Sequence, residues 1–600
     1  MTTSIIEVPT SEVAKTEPKL TGAQATALAL HQLGVRVIFG LVGIPVIQIA
    51  EEAIKLGIHF IAFRNEQAAS YAATAYGYLT GRPGVCLVVG GPGVLHAMAG
   101  IGNSSANAFP MLLVAGSSET HFVSTGAFQE MDAISLLTPH TKGALRAQVN
   151  TIPRSLAEAY RMAFYGRPGT GFVDMSADII QGLAPSSRPL GPVPSAPRAG
   201  PDPERIIEAA NLLMNAKAPL IVLGKGSAFA QAEHKIRELV NKTKIPFLPT
   251  PMGKGILPDS HPLNTSAARS VALRNADVVL VLGARLNWIL HFGSSSKWNE
   301  DVKFIQVDLS AEEIGKNAGS AELGIVGDIN IVVSQLSFLL SHFTYDIGNS
   351  AYIAALSTSK AKNEAKAAVI AKVDKSPMTY HRVFDVIKET LHRLSPPKNG
   401  NVVYISEGAN TMDFSRSVFP VEEPRLRMDA GTYATMGVGL AYAIAAHQAY
   451  NLPNPEGKSL SGERKKIVCL EGDSAFGFSM PEVETMARYD MDVLIFVINN
   501  GGIYHGDCED ADAWLKMKEG RVGGGKGLRS TSLGYQVRYE KMAEMCGGKG
   551  YFVQTAEELA VAAEEGFKAR IPVVVNVVIE SGASSKLVSD SGWFHLENRC

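Results

Sequence analysis

Two residues have the types and the setting to hold a metal ion: Asp473, just past the apolar run 468–470, and Asn500, just past the apolar run 494–498. Both offer hard oxygen ligands, which suit Mg²⁺ or Ca²⁺. Residues 481–488 between them have helical spacing. The stretch therefore reads as a β-α-β unit with polar residues at the carboxyl ends of both strands, where open α/β sheets bind ligands. Gly472, Ser474 and Ala475 are small enough for backbone to approach a phosphate, whose charge the next helix N-terminus favours. A plain crossover whose Asp and Asn only cap helices is the alternative these residues leave open.

Three further positions carry chemistry more ambiguously. Glu66, in R-N-E-Q-A-A at 64–69, follows the strand-like run 60–63. Alone it reads as a carboxylate favoured at a helix N-terminus. Met436 alone reads as a core methionine. Asn410 and Thr411 follow a strand end, where both types also make turns.

The elements that must position these residues form three α/β units. Strand-like runs at 35–39, 60–63, 85–89 and 111–115 alternate with helical stretches, which implies a parallel sheet covered on both faces. Seven prolines in 184–203 mark a linker. A second unit has runs at 220–223, 277–282 and 304–307, and an Ala- and Lys-rich connector follows at 345–376. The third begins near 402 and ends with the run 573–579; its 507–531 stretch reads as a mobile loop. The expected layout is an arm at 1–19, domains at 20–190, 204–345 and 376–580, and a tail at 581–600.

With 600 residues the chain has room for roughly three to four domains. A net charge of −2 argues against a nucleic-acid surface, so any phosphate must be held by local Arg and Lys. The five cysteines are scattered without a C-x-x-C, which fits a reducing, intracellular setting. No run has transmembrane length, and no signal-peptide core opens the chain. The C-terminal Asn-Arg-Cys is no clear peroxisomal signal and Ser585-Lys586-Leu587 is internal, which leaves cytoplasm or peroxisome.

The G-D-S at 472–474 with Asn499-Asn500 at this spacing resembles the thiamine diphosphate signature. Together with R-N-E-Q-A-A, G-G-P-G-V-L-H-A, G-A-F-Q-E-M-D, G-A-R-L-N-W and S-E-G-A-N-T-M-D, it resembles the branch that holds 2-hydroxyacyl-CoA lyase and oxalyl-CoA decarboxylase. The resemblance covers about 20 to 580 and implies three doubly wound α/β domains: pyrimidine-binding, CoA-binding and diphosphate-binding. It implies thiamine diphosphate with Mg²⁺ on Asp473, Asn500 and the Gly502 carbonyl. Pro92, Asn410, Thr411, Ala434, Met436, Ser474, Ala475, Ile503 and Tyr504 would line the cofactor. Met436 would prop it in a bent shape, and the Ala434 carbonyl would take its 4′-amino group. Glu66 would hydrogen-bond the aminopyrimidine N1′, a task that suits a buried, proton-donating carboxyl.

For acyl-CoA the central domain offers Lys225, Arg285 and Asp308, each after a strand, with Arg161 and Arg416 as further phosphate candidates. Each of these charges alone reads more simply as surface charge. Related enzymes bind FAD in this domain, which only G-A-R-L-N-W and its neighbours argue against. Phe128 and Gln129 fall near the reacting carbon, where bacterial oxalyl-CoA decarboxylases tend to have Tyr-Glu; Tyr504 and His505 are also placed to face substrate. The implied reaction cleaves a 2-hydroxyacyl-CoA to an aldehyde and formyl-CoA. The alternative releases CO₂ and formyl-CoA from oxalyl-CoA; a 2-oxoacid decarboxylase or acetohydroxyacid synthase is more remote. The family's minimal active unit is a homodimer, often paired into a homotetramer.

Overall fold

The computed structural model describes residues 19–184, 190–453, 463–504, 506–508, 510–520 and 527–581. The arm at 1–18, His505 and the tail from 582, with its Ser-Lys-Leu tripeptide, lie outside these residues. No helix among the described residues is long and apolar enough to cross a membrane.

The first large sheet has six parallel strands: Val37–Leu41, His59–Ala62, Gly84–Val88, Met111–Ser117, Gly143–Arg146 and Thr170–Ser176. Across the sheet they run second, first, third, fourth, sixth, fifth. The last large sheet repeats that order with Val402–Glu407, Arg427–Asp429, Lys466–Gly472, Leu494–Asn499, Lys549–Val553 and Val573–Val578. Between them Pro219–Leu223, Phe247–Pro249, Val278–Leu282, Lys303–Asp308 and Gly324–Val326 run second, first, third, fourth, fifth. All three sheets therefore reverse direction between their first and third strands. A crevice opens at the carboxyl ends of such a pair, which makes it the natural ligand position in each sheet.

The strands are continuous apolar runs because helices cover both faces. Val573–Val578 is buried throughout, and its one polar residue, Asn576, is bonded to Asn499, Glu540 and the Val537 carbonyl. Helix Glu66–Thr80 packs against helix Pro92–Asn107 and against the Ala-rich helix Gly439–Asn451, buried from Gly439 to Tyr450. Small residues set that closeness: a Cβ on Gly100 would collide with the Ser70 side chain.

Several elements differ from the sequence reading. Strands Gly143–Arg146 and Thr170–Ser176 were not expected, because polar residues interrupt their apolar runs; buried Asp174 is bonded to Arg146 Nε at 2.8 Å. Helix Ala511–Lys518 stands inside the stretch read as a loop. Ala184, the first residue of the expected linker, ends strand Leu183–Ala184, which pairs with Leu20–Thr21. Residues 190–202 have no regular structure and lead into helix Pro203–Asn215.

At the amino-terminal edge of the last sheet the charges are matched. Asp492, before strand Leu494–Asn499, meets Arg464, His447 at 3.3 Å, Arg570 at 3.3 Å and Lys466 at 3.8 Å. These residues precede neighbouring strands or lie on the helix over them, so the cluster ties one edge of the sheet together. Burial pushes the Asp492 carboxyl up, but the His447 bond and the Lys466 and Arg464 charges outweigh it and hold the group at about 2. Its ordinary value is 3.8. The folded state thus favours the ionised form, and the stability gained is present above about pH 4 and lost as pH falls toward 2. Asp492→Asn should lower the melting temperature at neutral pH, and the gap from the parent should close as pH falls from about 4 to 2. A gap independent of pH would show that the cluster's charge is not what stabilises this edge.

Candidate active site

Strand Lys466–Gly472 runs directly into helix Asp473–Ser479, which puts Asp473 at the carboxyl end of the sheet, beside the Asn500 turn after strand Leu494–Asn499. Asp473 is buried, its Oδ1 accepting the Ser474 N–H and its Oδ2 the Gly501 N–H, both at 2.8 Å. Asn500 Oδ1 accepts the Gly502 N–H at 3.2 Å, and its Nδ2 donates to the Tyr504 carbonyl at 3.2 Å and to the Tyr380 hydroxyl at 3.3 Å. Asn410 Nδ2 donates to the same Tyr504 carbonyl at 2.8 Å. Thr411 is buried, and its hydroxyl bonds Tyr380. The loop 500–504 is thus clasped at the switch point between strands Val402–Glu407 and Lys466–Gly472, with Ile503 and the Tyr504 ring exposed. Tyr380 was not expected here; no sequence motif marks it, and it arrives on helix Tyr380–Leu394 packed beneath.

Burial pushes the Asp473 carboxyl up to about 7, against the pull of the Ser474 and Gly501 N–H groups. No ion pair to it occurs among the described residues, and its hydrogen bonds come from backbone N–H groups. Among the described residues no three His, Cys, Asp or Glu side chains come together as a metal site. One carboxylate, one amide and a backbone carbonyl leave about half of an octahedral cation's coordination to oxygens of the ligand and water. That donor set fits Mg²⁺ held together with a diphosphate.

The turn that carries Met436 follows strand Arg427–Asp429. Ala434 is exposed with φ +55°, and Met436 is half-buried. Glu407 anchors the turn by accepting the Gly437 N–H and, at 2.5 Å, the Gly439 N–H. Glu407 is register-paired with Glu471, and both carboxyls are fully buried. Burial pushes Glu407 up to about 7; burial and then the Glu407 charge push Glu471 well above the carboxylate range.

A second set of residues gathers on the first sheet. Glu66 opens its helix behind the cap Asn65 and is buried; its Oε2 lies 2.8 Å from His96 Nδ1. Gly91, with φ +51°, is where a Cβ would stand 2.7 Å from the Gln129 carbonyl oxygen, so only glycine lets the 128–129 turn nest there. That close fit brings Phe128 and Gln129 beside exposed Pro92 at the start of the His96 helix. Ile44, Leu95 and Phe128, which follow strands Val37–Leu41, Gly84–Val88 and Met111–Ser117 of this sheet, are exposed.

The central sheet's switch point holds Lys225 and Arg285, in a cavity also lined by Thr250, Met252, Asp429 and Thr432. Lys225 Nζ donates to Asn107 Oδ1 at 2.7 Å, and that same oxygen accepts the Thr432 N–H at 3.0 Å. Arg285 donates to the Ala106 carbonyl at 2.6 Å. Burial, then the Arg285 charge, drives the Lys225 ammonium well below its usual range; burial lowers Arg285 and raises Asp308. Arg167, which the sequence reading passed over, is close enough to Lys225, Arg285 and Asp308 to shift all three, and lies 3.8 Å from Glu313.

Two expectations need correction. Arg416 is buried between Asp413 and Asp429, each at 2.9 Å, so its charge braces the domain interior and does not face a ligand phosphate. Arg161 bonds Glu158 on its own helix at 2.6 Å and covers Tyr165; Arg167 is the arginine from this part of the chain that stands near enough to Lys225 and Arg285 to shift them.

Family models match three parts of the chain: thiamine pyrophosphate enzyme N-terminal TPP binding domain at 20–136, central domain at 206–336 and C-terminal TPP binding domain at 407–577. The chain is 42% identical to 2-hydroxyacyl-CoA lyase 1 of Homo sapiens over 97% of its own length and 98% of that protein's. It is 42% identical to 2-hydroxyacyl-CoA lyase of Arabidopsis thaliana, over 95% and 97%. Against oxalyl-CoA decarboxylase of Escherichia coli the identity is 37%, over 93% and 94%.

Asn107 should be the most sensitive joint of the cavity. Asn107→Leu leaves the Lys225 amine and the Thr432 N–H without their shared acceptor, at a cost of about 1–3 kcal/mol. A lower melting temperature is the expected result; an unchanged one would show that this oxygen does not hold the junction.

Proposed function

Because the chain belongs to the thiamine diphosphate enzymes, in the family of 2-hydroxyacyl-CoA lyases and oxalyl-CoA decarboxylases, we propose that it cleaves 2-hydroxyacyl-CoA to an aldehyde and formyl-CoA. The observation that carries the choice is the mouth beside Glu66. Exposed Ile44, Leu95 and Phe128, at the carboxyl edge of the first sheet, would form its rim, and Gln129, in the turn nested on Gly91, would supply an amide. An apolar rim suits an acyl chain, and a neutral amide can donate to a hydroxyl or aldehyde oxygen. The carboxylate of oxalyl-CoA gains little from such a rim.

Bound thiamine diphosphate supplies a nucleophilic carbon and an electron sink for breaking the carbon–carbon bond. The chain's own part is to bind, orient and move protons. Asp473, Asn500 and the Gly502 carbonyl would hold Mg²⁺ against the diphosphate, with Asn410, Thr411, Ser474 and Ala475 beside it. Met436 and the Ala434 carbonyl would set the pyrimidine ring, with Ile503, Tyr504 and Pro92 closing the cofactor's sides. Glu66 would give its carboxyl proton to the ring nitrogen it meets. Lys225, Arg285 and Arg167 would take phosphates of coenzyme A, and Asp308 its ribose.

We also read the active unit as a homodimer, with a tetramer as its doubled form. Helix Pro92–Asn107 holds Glu66 at its start through His96, while Asn103 and Asn107 at its other end hold Thr435 and Thr432 of the Met436 turn. Seven to eleven residues of helix separate these contacts, about 10–16 Å at 1.5 Å per residue. Exposed Leu95, Phe128, Tyr433, Phe478 and Tyr504 leave both ends ready to be covered by a second copy.

Steady-state rates on a long-chain 2-hydroxyacyl-CoA and on oxalyl-CoA, side by side, test the reaction. The expected result is a kcat/KM at least about tenfold higher for the hydroxyacyl ester, the scale of a few buried methylenes; a preference for oxalyl-CoA would reverse the assignment. Arg167→Ala and Arg285→Ala should each raise the KM for the CoA ester about tenfold, since a charge-assisted contact contributes about 1.5–3 kcal/mol. Unchanged KM in both would place coenzyme A elsewhere. Asp473→Ala should abolish cofactor retention while the fold persists, and full occupancy in that variant would remove the metal assignment.

A further inference from the structure

Near the start of helix Pro92–Asn107, His96 contacts Glu66 but has so far been given no part in the reaction. His96 lies four residues after Pro92, and its side chain is 57% exposed, yet its Nδ1 sits 2.8 Å from Oε2 of the buried Glu66. The contact is built by helix register. Along the same two helices Gly100 abuts Ser70, and Asn103 Nδ2 donates to the Thr74 hydroxyl at 3.1 Å. Glu66, Ser70 and Thr74 are successive turns of one helix, and His96, Gly100 and Asn103 are successive turns of the other. The lower rungs are buried and fixed, so the top rung places the imidazole on the carboxyl.

A carboxyl on a helix N-terminus can rotate, and either oxygen can then face outward. Here one oxygen is taken. Glu66 Oε1 stands 3.7 Å from where a Cβ on Gly93 would be, and no other hydrogen bond to Glu66 from a side chain occurs among the described residues. On the reading of Glu66 as the group that meets the cofactor, we propose that His96 is a positioning residue for the reaction. It fixes the Glu66 carboxyl through Oε2 and leaves Oε1 as the one oxygen presented to the aminopyrimidine. His96 itself touches neither substrate nor cofactor in this assignment. Its imidazole matters as a donor of one hydrogen bond at a set place.

That assignment separates the two obvious variants. An Asn amide nitrogen stands close to where Nδ1 of a histidine stands and can donate to the same carboxyl oxygen. His96→Asn should therefore keep the carboxyl in place, and His96→Ala should release it. Misplacement of a reacting group by about 1 Å costs on the order of 100-fold. The readouts, on purified protein reconstituted with thiamine diphosphate and Mg²⁺, are the rate of hydrogen–deuterium exchange at cofactor C2 and the near-ultraviolet circular dichroism of the bound aminopyrimidine. Cofactor affinity by fluorescence titration and the melting temperature of the apoprotein accompany them. In His96→Ala, C2 exchange should slow by about tenfold to hundredfold, with the dichroic band altered. Affinity should stay within about threefold and the melting temperature unchanged, since an exposed ring contributes little to either. His96→Asn should restore exchange to within about threefold of the parent.

Wild-type exchange in His96→Ala would overturn the proposal. So would a slow His96→Asn protein with an unchanged melting temperature, because then something other than the hydrogen bond is needed. Should His96→Ala fail to fold, His96→Gln, whose longer amide cannot reach Oε2 from the same place, gives the released state and should exchange slowly. A Glu66→Gln protein is the control: normal C2 exchange there would remove the reading of Glu66 itself, on which this proposal rests, and so marks that failure apart from a failure at His96.

Discussion

The side-chain oxygen of Asn107 accepts hydrogen bonds from the Lys225 ammonium and from the Thr432 amide, so residues of all three domains meet at one helix end. The neighbouring Ala106 carbonyl takes the Arg285 guanidinium, and Asn103, one turn earlier, binds the Tyr442 hydroxyl at 2.8 Å and the Thr435 hydroxyl at 3.2 Å. A helix carboxyl end favours cations, which suits the two that gather there. Helix Pro92–Asn107 is therefore a strut. Its far end fixes the Met436 turn and the cationic cavity relative to the first sheet, and its near end carries His96 and, through it, Glu66. The face that it turns to the core, from Val94 and Ala97 to Ile101 and Ser104, is buried and close-packed, so displacement at one end is felt at the other.

The two edges of the sheets treat charge differently. At the amino edge of the last sheet Asp492 has several cations around it and stays ionised. At the carboxyl edges burial pushes Asp473 and Glu407 up toward neutrality and Lys225 down, and no ion pair to any of the three occurs among the described residues. Burying an ionisable group without a partner costs several kcal/mol. Such groups gathered at switch points mark where ligands supply the missing charge. On the function proposed above, a metal ion would answer Asp473, and phosphates would answer Lys225, Arg285 and Arg167. Arg416 shows the contrast, since its guanidinium is already met by two carboxylates and has nothing left to offer.

Much of this was legible in the sequence. The runs before Asp473, Asn500, Lys225 and Arg285 were apolar and short, and the polar residues after them fell at strand ends as expected. Strands Thr170–Ser176 and Gly143–Arg146 were not legible, because the Asp174–Arg146 pair makes them look like loop until the partner across the ladder is known. Arginines were the weakest point. Arg161, Arg167 and Arg416 are alike in the chain, and only the fold shows which is paired along its own helix, which stands near Lys225 and Arg285 and which is locked inside. His96 was present in the quoted G-G-P-G-V-L-H-A motif, but its role depends on the register between two helices, which no local pattern encodes.

The account's central claim is that each chain carries two half-sites at opposite ends of one strut, and that a second chain completes them. A hybrid dimer of Glu66→Gln and Asp473→Ala chains tests it most directly. If the halves come from different subunits, the hybrid keeps one intact site, with Glu66 from the Asp473→Ala chain and Asp473 from the Glu66→Gln chain. The account predicts activity near half that of the wild-type dimer, with each parent homodimer inactive. An inactive hybrid, with heterodimer formation verified, would contradict it and mean that each chain builds its own site.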